Sequence, residues 1–308
     1  MQNLIPHNID QIEIHFNADN LWIVNFSLAL VMFGVALDIR ISDFTGLLKQ
    51  PKPLIIGIFS QFFLIPLITF LIVITIDPLP SIALGLFMVA ACPGGNISNF
   101  LSKLSGGNAA LSVSLTAFAT LTALIMTPLN FTLWSNFYPP TSKILQQVSL
   151  NPIDVAKLVV LILGIPLVLG MLVNYYTPVV SAKISRVLKP VSILIFTTFI
   201  IVAFYNNIDV FLNHVHYVLI LVIFHNIILM ATGFYAAKFS GLSKINQKTL
   251  TFETGVQNSG LGLLLVFSFF DELGGMAILV AFWAVWDMFS GLVLALFWSY
   301  KLKKASSL

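Results

Sequence analysis

Charge is what this sequence has least of. Asp, Glu, Lys and Arg make up 9% of its 308 residues, against roughly 25% in an ordinary soluble domain. With 58% of the residues hydrophobic, that scarcity excludes a water-soluble fold, because too little polar surface exists to cover the apolar remainder. The formal charge of +3 comes from only 15 Lys and Arg, which cannot form the dense basic stripe of a nucleic-acid-binding surface. Cys92 is the single cysteine, so an internal disulfide and multi-cysteine metal centres are excluded. HExxH, GxSxG and P-loop strings are missing too, and with them the commonest signatures of hydrolases and nucleotide-driven enzymes. Residues 1 to 20 hold His7, Asp10, Glu13, His15 and Asp19 but no Lys or Arg, unlike the basic start of a secretory signal. They read as a short mature tail.

What the chain has in abundance is apolar runs of about 20 residues, the length that crosses roughly 30 Å of hydrocarbon. Spans are predicted near residues 21–38, 53–76, 79–101, 108–134, 153–176, 190–208, 215–238, 247–270 and 276–300. A tenth would have to carry the five ionisable groups of the tail through the bilayer, which is costly. Nine helices put the termini on opposite sides. Arg40, Lys49, Lys52, Lys103, Lys183, Arg186, Lys189, Lys238, Lys244, Lys248, Lys301, Lys303 and Lys304 then share one side, with Lys143 and Lys157 opposite. The positive-inside rule places the tail outside and the C-terminus in the cytoplasm. The longest connection, roughly 135–152, is too short to fold alone, so any function belongs within or across the bilayer. The expected localisation is a cell membrane, crossed many times.

Two spans are interrupted. The third contains Cys92-Pro93-Gly94-Gly95-Asn96-Ile97-Ser98-Asn99, and the eighth Glu253-Thr254-Gly255-Val256-Gln257-Asn258-Ser259-Gly260. Proline removes a backbone donor and glycine weakens the helix, and unwound backbone is tolerated at membrane depth only inside protein or along a cavity. Five crossings separate the two motifs, so they run in opposite directions, each in the penultimate span of its half. That pattern points to an inverted repeat with a midplane site where two discontinuous helices cross. Half-helix N-termini offer N–H groups to an anion, and freed carbonyls offer oxygens to a cation. The plain alternative is a proline kink with polar residues serving as interhelical glue.

At these motifs the chain resembles the bile acid:sodium symporter family, including its bacterial members and the animal bile acid transporters. The resemblance rests on Pro93-Gly94-Gly95 followed by Ser98-Asn99, on Gly107-Asn108-Ala109-Ala110-Leu111-Ser112, on His225-Asn226, and on Glu253 through Gly260, and it runs from about residue 30 to the C-terminus. It implies an all-α membrane protein with a core subdomain, approximately 53–134 and 215–300, and a panel subdomain, approximately 21–38 and 153–208. Characterised bacterial relatives have ten helices, and the resemblance implies that this chain runs without the first. One sodium site would use Ser98, Asn99, Ser112, Thr116 and Glu253. A second would use Gln61 and Gln257 with carbonyls near Glu253, Thr254 and Val256. Sodium is a hard cation that takes several oxygens, as calcium does, and Ser112 and Thr116, four apart, share a helix face.

The implied function is sodium-coupled import of an organic anion, such as a bile acid or a smaller carboxylate, by alternating access in a bacterial inner membrane. Sodium is the coupling ion and no other cofactor is expected. The partners are the anion, sodium and the lipid bilayer, with no nucleic acid and no obligatory protein partner. Asn96 and Asn258 follow the two breaks and are candidate substrate contacts. Asp287 stands where the bacterial relatives carry a histidine. It is protonated, screened by sodium, a sign of altered substrate choice, or a solvated acid without effect on it. Glu253 is costly in a membrane unless paired, solvated or protonated; a bound cation or a neutral hydrogen-bonded acid both answer that. His225 and Asn226 are either a proton relay or packing groups. An enzyme is not expected, because Glu253 and Asp287 are the only acids deep in spans and fit no familiar catalytic pattern. A sodium/proton antiporter shares the broken-helix plan but normally titrates an aspartate at its crossing.

Overall fold

The computed structural model describes residues 21–39, 51–148, 151–206, 208–270 and 273–306. The N-terminal tail, Arg40, Lys49, Asp271 and Glu272 lie outside the described residues. The elements are α1 (Leu21–Ala36), α2 (Pro51–Ile76), α3 (Pro80–Ala91), α4 (Ile97–Leu104), α5 (Ala109–Phe137), α6 (Pro139–Val148), α7 (Ile153–Tyr176), α8 (Pro178–Asn206), α9 (Ile208–Phe239), α10 (Lys244–Gly255), α11 (Ser259–Phe269) and α12 (Gly274–Ser306). No β-strand occurs among the described residues; a single antiparallel bridge joins Gly94 to Gln257.

Of these helices α2, α5, α7, most of α9 and most of α12 are long and apolar enough to cross a membrane. Their outward faces carry Ile55, Ile125, Leu161, Ile220 and Leu296, all more than half exposed. Such faces are stable against lipid and not against water. The helix pattern departs from expectation in two places. The connection at 135–152 contains α6, started by Pro139 and Pro140, since proline is pre-organised for a first turn. α8 begins at Pro178, twelve residues before the expected start at 190, so Lys183 and Arg186 are exposed helical residues rather than loop. Nothing between 178 and 189 breaks a helix, and hydropathy alone cannot see its polar first turns.

Polar caps and prolines set the remaining ends. Asn108, Asn151, Ser243 and Asn258 each accept a first-turn N–H in their side chains, an interaction worth about 1 kcal/mol. Where α2 ends, Asp77 takes a left-handed conformation, and its carboxylate accepts a short hydrogen bond from the Tyr138 hydroxyl. Burial, then this bond, push the Tyr138 phenol upward from its ordinary value.

Two prolines leave π-turns behind them. Pro66 has no N–H for the carbonyl of Phe62, and the helix widens over Ser60–Leu64, with Ile65 N–H reaching back to the Ser60 carbonyl. The Phe62 carbonyl is met instead by Asn130 Nδ2 at 3.0 Å, and Asn130 Oδ1 accepts from Trp134. The same Ile-Pro step follows the π-turn Val160–Gly164 in α7. In α2 the widened turn carries Gln61 into the protein interior.

α3 and α10 occupy the centre. Every residue from Ser81 to Ala91, and from Thr249 to Gly255, is buried; a helix covered all round lies among other helices. α10 packs along α9, where a Cβ on Gly233 would lie 2.0 Å from Thr254 Oγ1. That spacing admits no side chain. α1 packs against α7 and α8, while the largest apolar core joins α2, α3, α11 and α12 around the fully buried Trp283.

Candidate functional site: two broken helices bridged at their breaks

Helix α3 ends at Ala91, two residues before Pro93, and the chain resumes as α4 at Ile97, while α10 ends at Gly255 and resumes as α11 at Ser259. Each break lends the other its backbone. Asn258 N–H donates to the Pro93 carbonyl and Gly95 N–H to the Val256 carbonyl, both at 2.8 Å. The two glycines are required by this approach. A Cβ on Gly94 would sit 2.7 Å from the Glu253 carbonyl, and one on Gly95 2.7 Å from the Gln257 carbonyl. The freed carbonyls at the end of α3 are met from outside the pair: Thr127 Oγ1 donates to Ala91 O and Gln61 Nε2 to Cys92 O, both at 2.8 Å. Asn226 Nδ2 does the same for Gly255 O at 2.8 Å.

Glu253 is 5% exposed, in the last turn of α10. Its Oε1 accepts from Ser98 Oγ and Ser112 Oγ, each at 2.5 Å, and its Oε2 from Thr116 Oγ1 at 2.9 Å. Thr116 also reaches Asn99 Oδ1 at 3.2 Å. Of the residues expected at the first sodium site, Ser98, Ser112 and Thr116 bond the Glu253 carboxylate directly and Asn99 joins them through Thr116; they are drawn from α4, α5 and α10. The single ion pair among the described residues, Lys157 with Asp154 at 2.8 Å, is on the surface of α7. Glu253 has hydroxyl donors and no basic partner among them.

The residues expected at the second site are also adjacent. Gln61 Nε2 donates to Gln257 Oε1 at 2.8 Å, and Gln257 Nε2 to the Thr254 carbonyl at 2.6 Å. The Val256 carbonyl accepts from Gly95. A carbonyl or hydroxyl oxygen already in one hydrogen bond keeps a lone pair for a cation. This donor set of hydroxyl, amide, carbonyl and carboxylate oxygens suits a hard monovalent ion.

The three candidate substrate residues are dispersed around the breaks. Asn96 precedes α4 without capping it, and its Oδ1 is buried without a hydrogen-bond partner. Asn258 caps α11 through Oδ1, which accepts from Leu261 N–H at 3.2 Å. Asp287, on α12, is 1% exposed. Its Oδ2 accepts from Gln257 N–H at 3.1 Å and Ser259 Oγ at 3.3 Å, and its Oδ1 has no partner.

Sequence reasoning did not single out Ser290, Thr127 or Asn130, which help hold the breaks and the π-turn in place, and it named Asn226 and Ser259 without their partners. The Ser290 hydroxyl donates to Asn226 Oδ1 at 2.7 Å, which turns the Asn226 amide toward Gly255. One signal was available for Asn130: a buried amide opposite a mid-helix proline has a freed carbonyl to satisfy. His225 is explained by its bonds. Trp283 Nε1 donates to Nδ1 at 3.0 Å, so the ring proton sits on Nε2, 2.8 Å from Thr69 Oγ1. Both ring nitrogens are thus engaged in hydrogen bonds within the protein.

Comparison with known proteins identifies the family. Residues 25–214 match the sodium bile acid symporter family. The uncharacterized sodium-dependent transporter YocS of Bacillus subtilis (strain 168) is 32% identical over 281 residues, covering 91% of this chain and 84% of that protein. The human ileal sodium/bile acid cotransporter is 31% identical over 244 residues, covering 78% of this chain and 67% of that one. A probable chloroplastic sodium/metabolite cotransporter, BASS2 of rice (Oryza sativa subsp. japonica), is 28% identical over 274 residues, 88% of this chain and 62% of its own length. The chain thus spans less than two thirds of the plant protein. Fold and relatives together define an integral-membrane, sodium-dependent transporter and not an enzyme. The chain belongs to the sodium bile acid symporter family.

Proposed function

We propose that this protein is a secondary active symporter that imports an organic anion, a bile acid or a smaller carboxylate, with sodium entering at two sites that share Glu253. The observation that carries the reading is the convergence of Ser98, Ser112 and Thr116 hydroxyls on a buried carboxylate with no basic partner among the described residues. Site one is Ser98, Asn99, Ser112, Thr116 and Glu253; site two is Gln61, Glu253, Thr254, Val256 and Gln257. Sodium supplies the positive charge that Glu253 lacks, and each hydroxyl can donate to the carboxylate while its lone pairs face the ion. Substrate meets the crossing through Asn96, Asn258 and Asp287. The relatives' names favour symport over sodium/proton exchange.

The proposal includes nine spans in an inverted repeat, with the N-terminus outside, in a bacterial inner membrane. The panel is residues 21–38 and 153–208 and the core 53–134 and 215–300, a division supported by the packing of α1 on α7 and α8. Alternating access moves one against the other. With two sodium ions per monovalent anion, a tenfold gradient gives about 1.4 kcal/mol per ion, and one net charge through 100 mV adds about 2.3 kcal/mol. The sum, about 5 kcal/mol, drives accumulation on the order of a thousandfold or more. The test is uptake into proteoliposomes with sodium outside and a clamped potential. Uptake must need sodium, rise with a negative interior, and fall to background in Gln257→Ala. Uptake indifferent to sodium and potential refutes the proposal.

A further inference from the structure

The helices that meet at Glu253 meet a second time, at the end of α4 away from the break. Ser98, Ser102 and Ser105 recur along α4 at helical spacing, and α10 answers each of them. Ser98 Oγ donates to Glu253 Oε1 at 2.5 Å, Ser102 Oγ and Thr249 Oγ1 share a hydrogen bond of 2.9 Å, and the Ser105 carbonyl accepts from Lys248 Nζ at 2.6 Å. The partners descend along α10 as the serines climb α4, so the two half-helices lie antiparallel and are joined along their length. α5 enters the same joint. Asn108, which caps it, donates its N–H to Thr249 Oγ1 at 2.8 Å and its Nδ2 to Asn246 Oδ1 at 3.0 Å. The turn between α4 and α5 fits here only without a side chain on Gly107, whose Cβ would lie 2.7 Å from Ser102 Oγ and 3.0 Å from Thr249 Oγ1.

Lys248 closes this joint. Its ammonium meets the carbonyl end of α4, where the helix dipole favours a cation, and stands 5.6 Å from the centre of the Trp298 ring on α12. That ring packs edge-on against Phe252 of α10. No carboxylate competes for the ammonium among the described residues, whose only ion pair is Lys157 with Asp154. α4 needs such a fastening. It has eight residues, fewer than a helix sustains in isolation, and it follows the Pro93-Gly94-Gly95 break, so helical continuity with α3 does not fix where Ser98 and Asn99 stand. Resting on the sodium-symport reading, we infer that Lys248 and Thr249 are positioning residues of the first sodium site. They touch no ion; they hold α4 and α5 on α10 so that the Ser98, Ser112 and Thr116 hydroxyls already surround Glu253 before sodium arrives. Groups that orient ligands from outside the coordination sphere typically govern metal affinity by about 10- to 100-fold, because an unassembled site must be ordered at the ion's expense.

The experiment follows the unfolding temperature of purified full-length protein as NaCl replaces KCl at constant ionic strength. It reads the sodium concentration that gives half of the stabilisation lost in Glu253→Gln. Lys248→Met keeps an apolar stem on Trp298 and removes the ammonium, and should raise that concentration about tenfold or more. Lys248→Arg still donates to the Ser105 carbonyl and should stay within about threefold of wild type. Thr249→Val removes the hydroxyl that Ser102 and Asn108 share, and should raise the concentration by about threefold or more, which keeps a test in hand if Lys248→Met does not fold. Ser181→Ala is the comparison for plain loss of stability. It deletes a buried 2.6 Å bond from α8 to the Leu37 carbonyl, and should lower the unfolding temperature in KCl while leaving the half-maximal sodium concentration unchanged. A concentration unchanged in both Lys248→Met and Thr249→Val overturns the inference. So does an equal rise in Lys248→Met and Lys248→Arg, and so does a rise in Ser181→Ala as large as in Lys248→Met, which would make the sodium response follow stability alone. A wild-type response that Glu253→Gln leaves whole removes the first sodium site itself and this inference with it, and a wild type without any sodium response removes the symport reading.

Discussion

Glu253→Gln separates a sodium ligand from a structural hydrogen-bond acceptor. Glutamine preserves length and an acceptor oxygen, so the 2.5 Å bonds from Ser98 and Ser112 can persist, and the 2.9 Å bond from Thr116 to the second oxygen is the contact most altered. What goes is the charge. Interactions with a charged ligand are worth about 1.5–3 kcal/mol net, so sodium affinity should fall roughly 10- to 150-fold. An ion present at tenfold its Kd stabilises the folded protein by about 1.4 kcal/mol, and two such ions by about 2.8 kcal/mol. In the proposed arrangement the first ion uses the Glu253 carboxylate and the second a backbone carbonyl there, so the substitution removes chiefly the first ion's share. The assay is thermal unfolding of purified protein, with NaCl exchanged for KCl at constant ionic strength. Wild type should gain about 4 °C in sodium, and Glu253→Gln about half as much. Asp154→Asn, which removes only the exposed partner of Lys157, should behave as wild type. Equal sodium-induced shifts with equal midpoints in wild type and Glu253→Gln would show that the carboxylate does not bind the ion.

Two further outcomes follow from the packing. Gly94→Ala, whose Cβ would lie 2.7 Å from the Glu253 carbonyl, forces the bridged breaks apart. It should cost about 1–3 kcal/mol and at least tenfold in sodium-dependent uptake, read by unfolding temperature and proteoliposome flux; unchanged values for both would mean that the close backbone approach is dispensable. Asn130→Leu strands the Phe62 carbonyl that Pro66 cannot satisfy and should destabilise by about 1–3 kcal/mol. Pro66→Ala in that background supplies an N–H and should recover part of the loss, so strictly additive effects in the double-mutant cycle would reject the pairing.

Much of the site is written in short strings, because local chain chemistry decides it. Pro93-Gly94-Gly95 must end a helix, and Glu253 cannot sit in a bilayer unattended, so the positions of both breaks and of the acid follow from residue type alone. The i, i+4 spacing of Ser112 and Thr116 likewise puts two hydroxyls on one face, and the structure brings both to Glu253. What the sequence does not expose is pairing across the chain. That the Gly95 N–H meets the Val256 carbonyl, more than 150 residues away, depends on how ten or more helices pack, and no periodicity records it. Gln61 was reachable only through family resemblance, since a lone amide in an apolar helix carries no signal; the π-turn that aims it inward is a consequence of Pro66 five residues on. The start of α8 was misplaced for the converse reason: its first turns are helical without being apolar, and hydropathy reports membrane and not helix.

The mutual satisfaction of the two breaks also bears on how an ion could control them. Unwound segments in hydrocarbon are costly because each unpaired backbone group loses water without replacement. Here the two breaks, residues 92–96 and 256–258, are tied to each other by two main-chain bonds, Asn258 to Pro93 and Gly95 to Val256, with side chains from α2, α5, α9 and α12 completing the set. Those side chains come from elements on different sides of the crossing, so moving any one helix leaves a buried carbonyl or N–H unmet at a cost of about 1–3 kcal/mol per group. The crossing therefore resists gradual deformation. An ion that binds Glu253 together with the Gln61 and Gln257 amides would change the balance of several of these bonds at once, because Gln61 already links the Cys92 carbonyl to Gln257, and Gln257 links the Thr254 carbonyl to Asp287. A site whose ligands are also its struts couples occupancy to geometry, and that is the property a sodium-driven carrier has to possess.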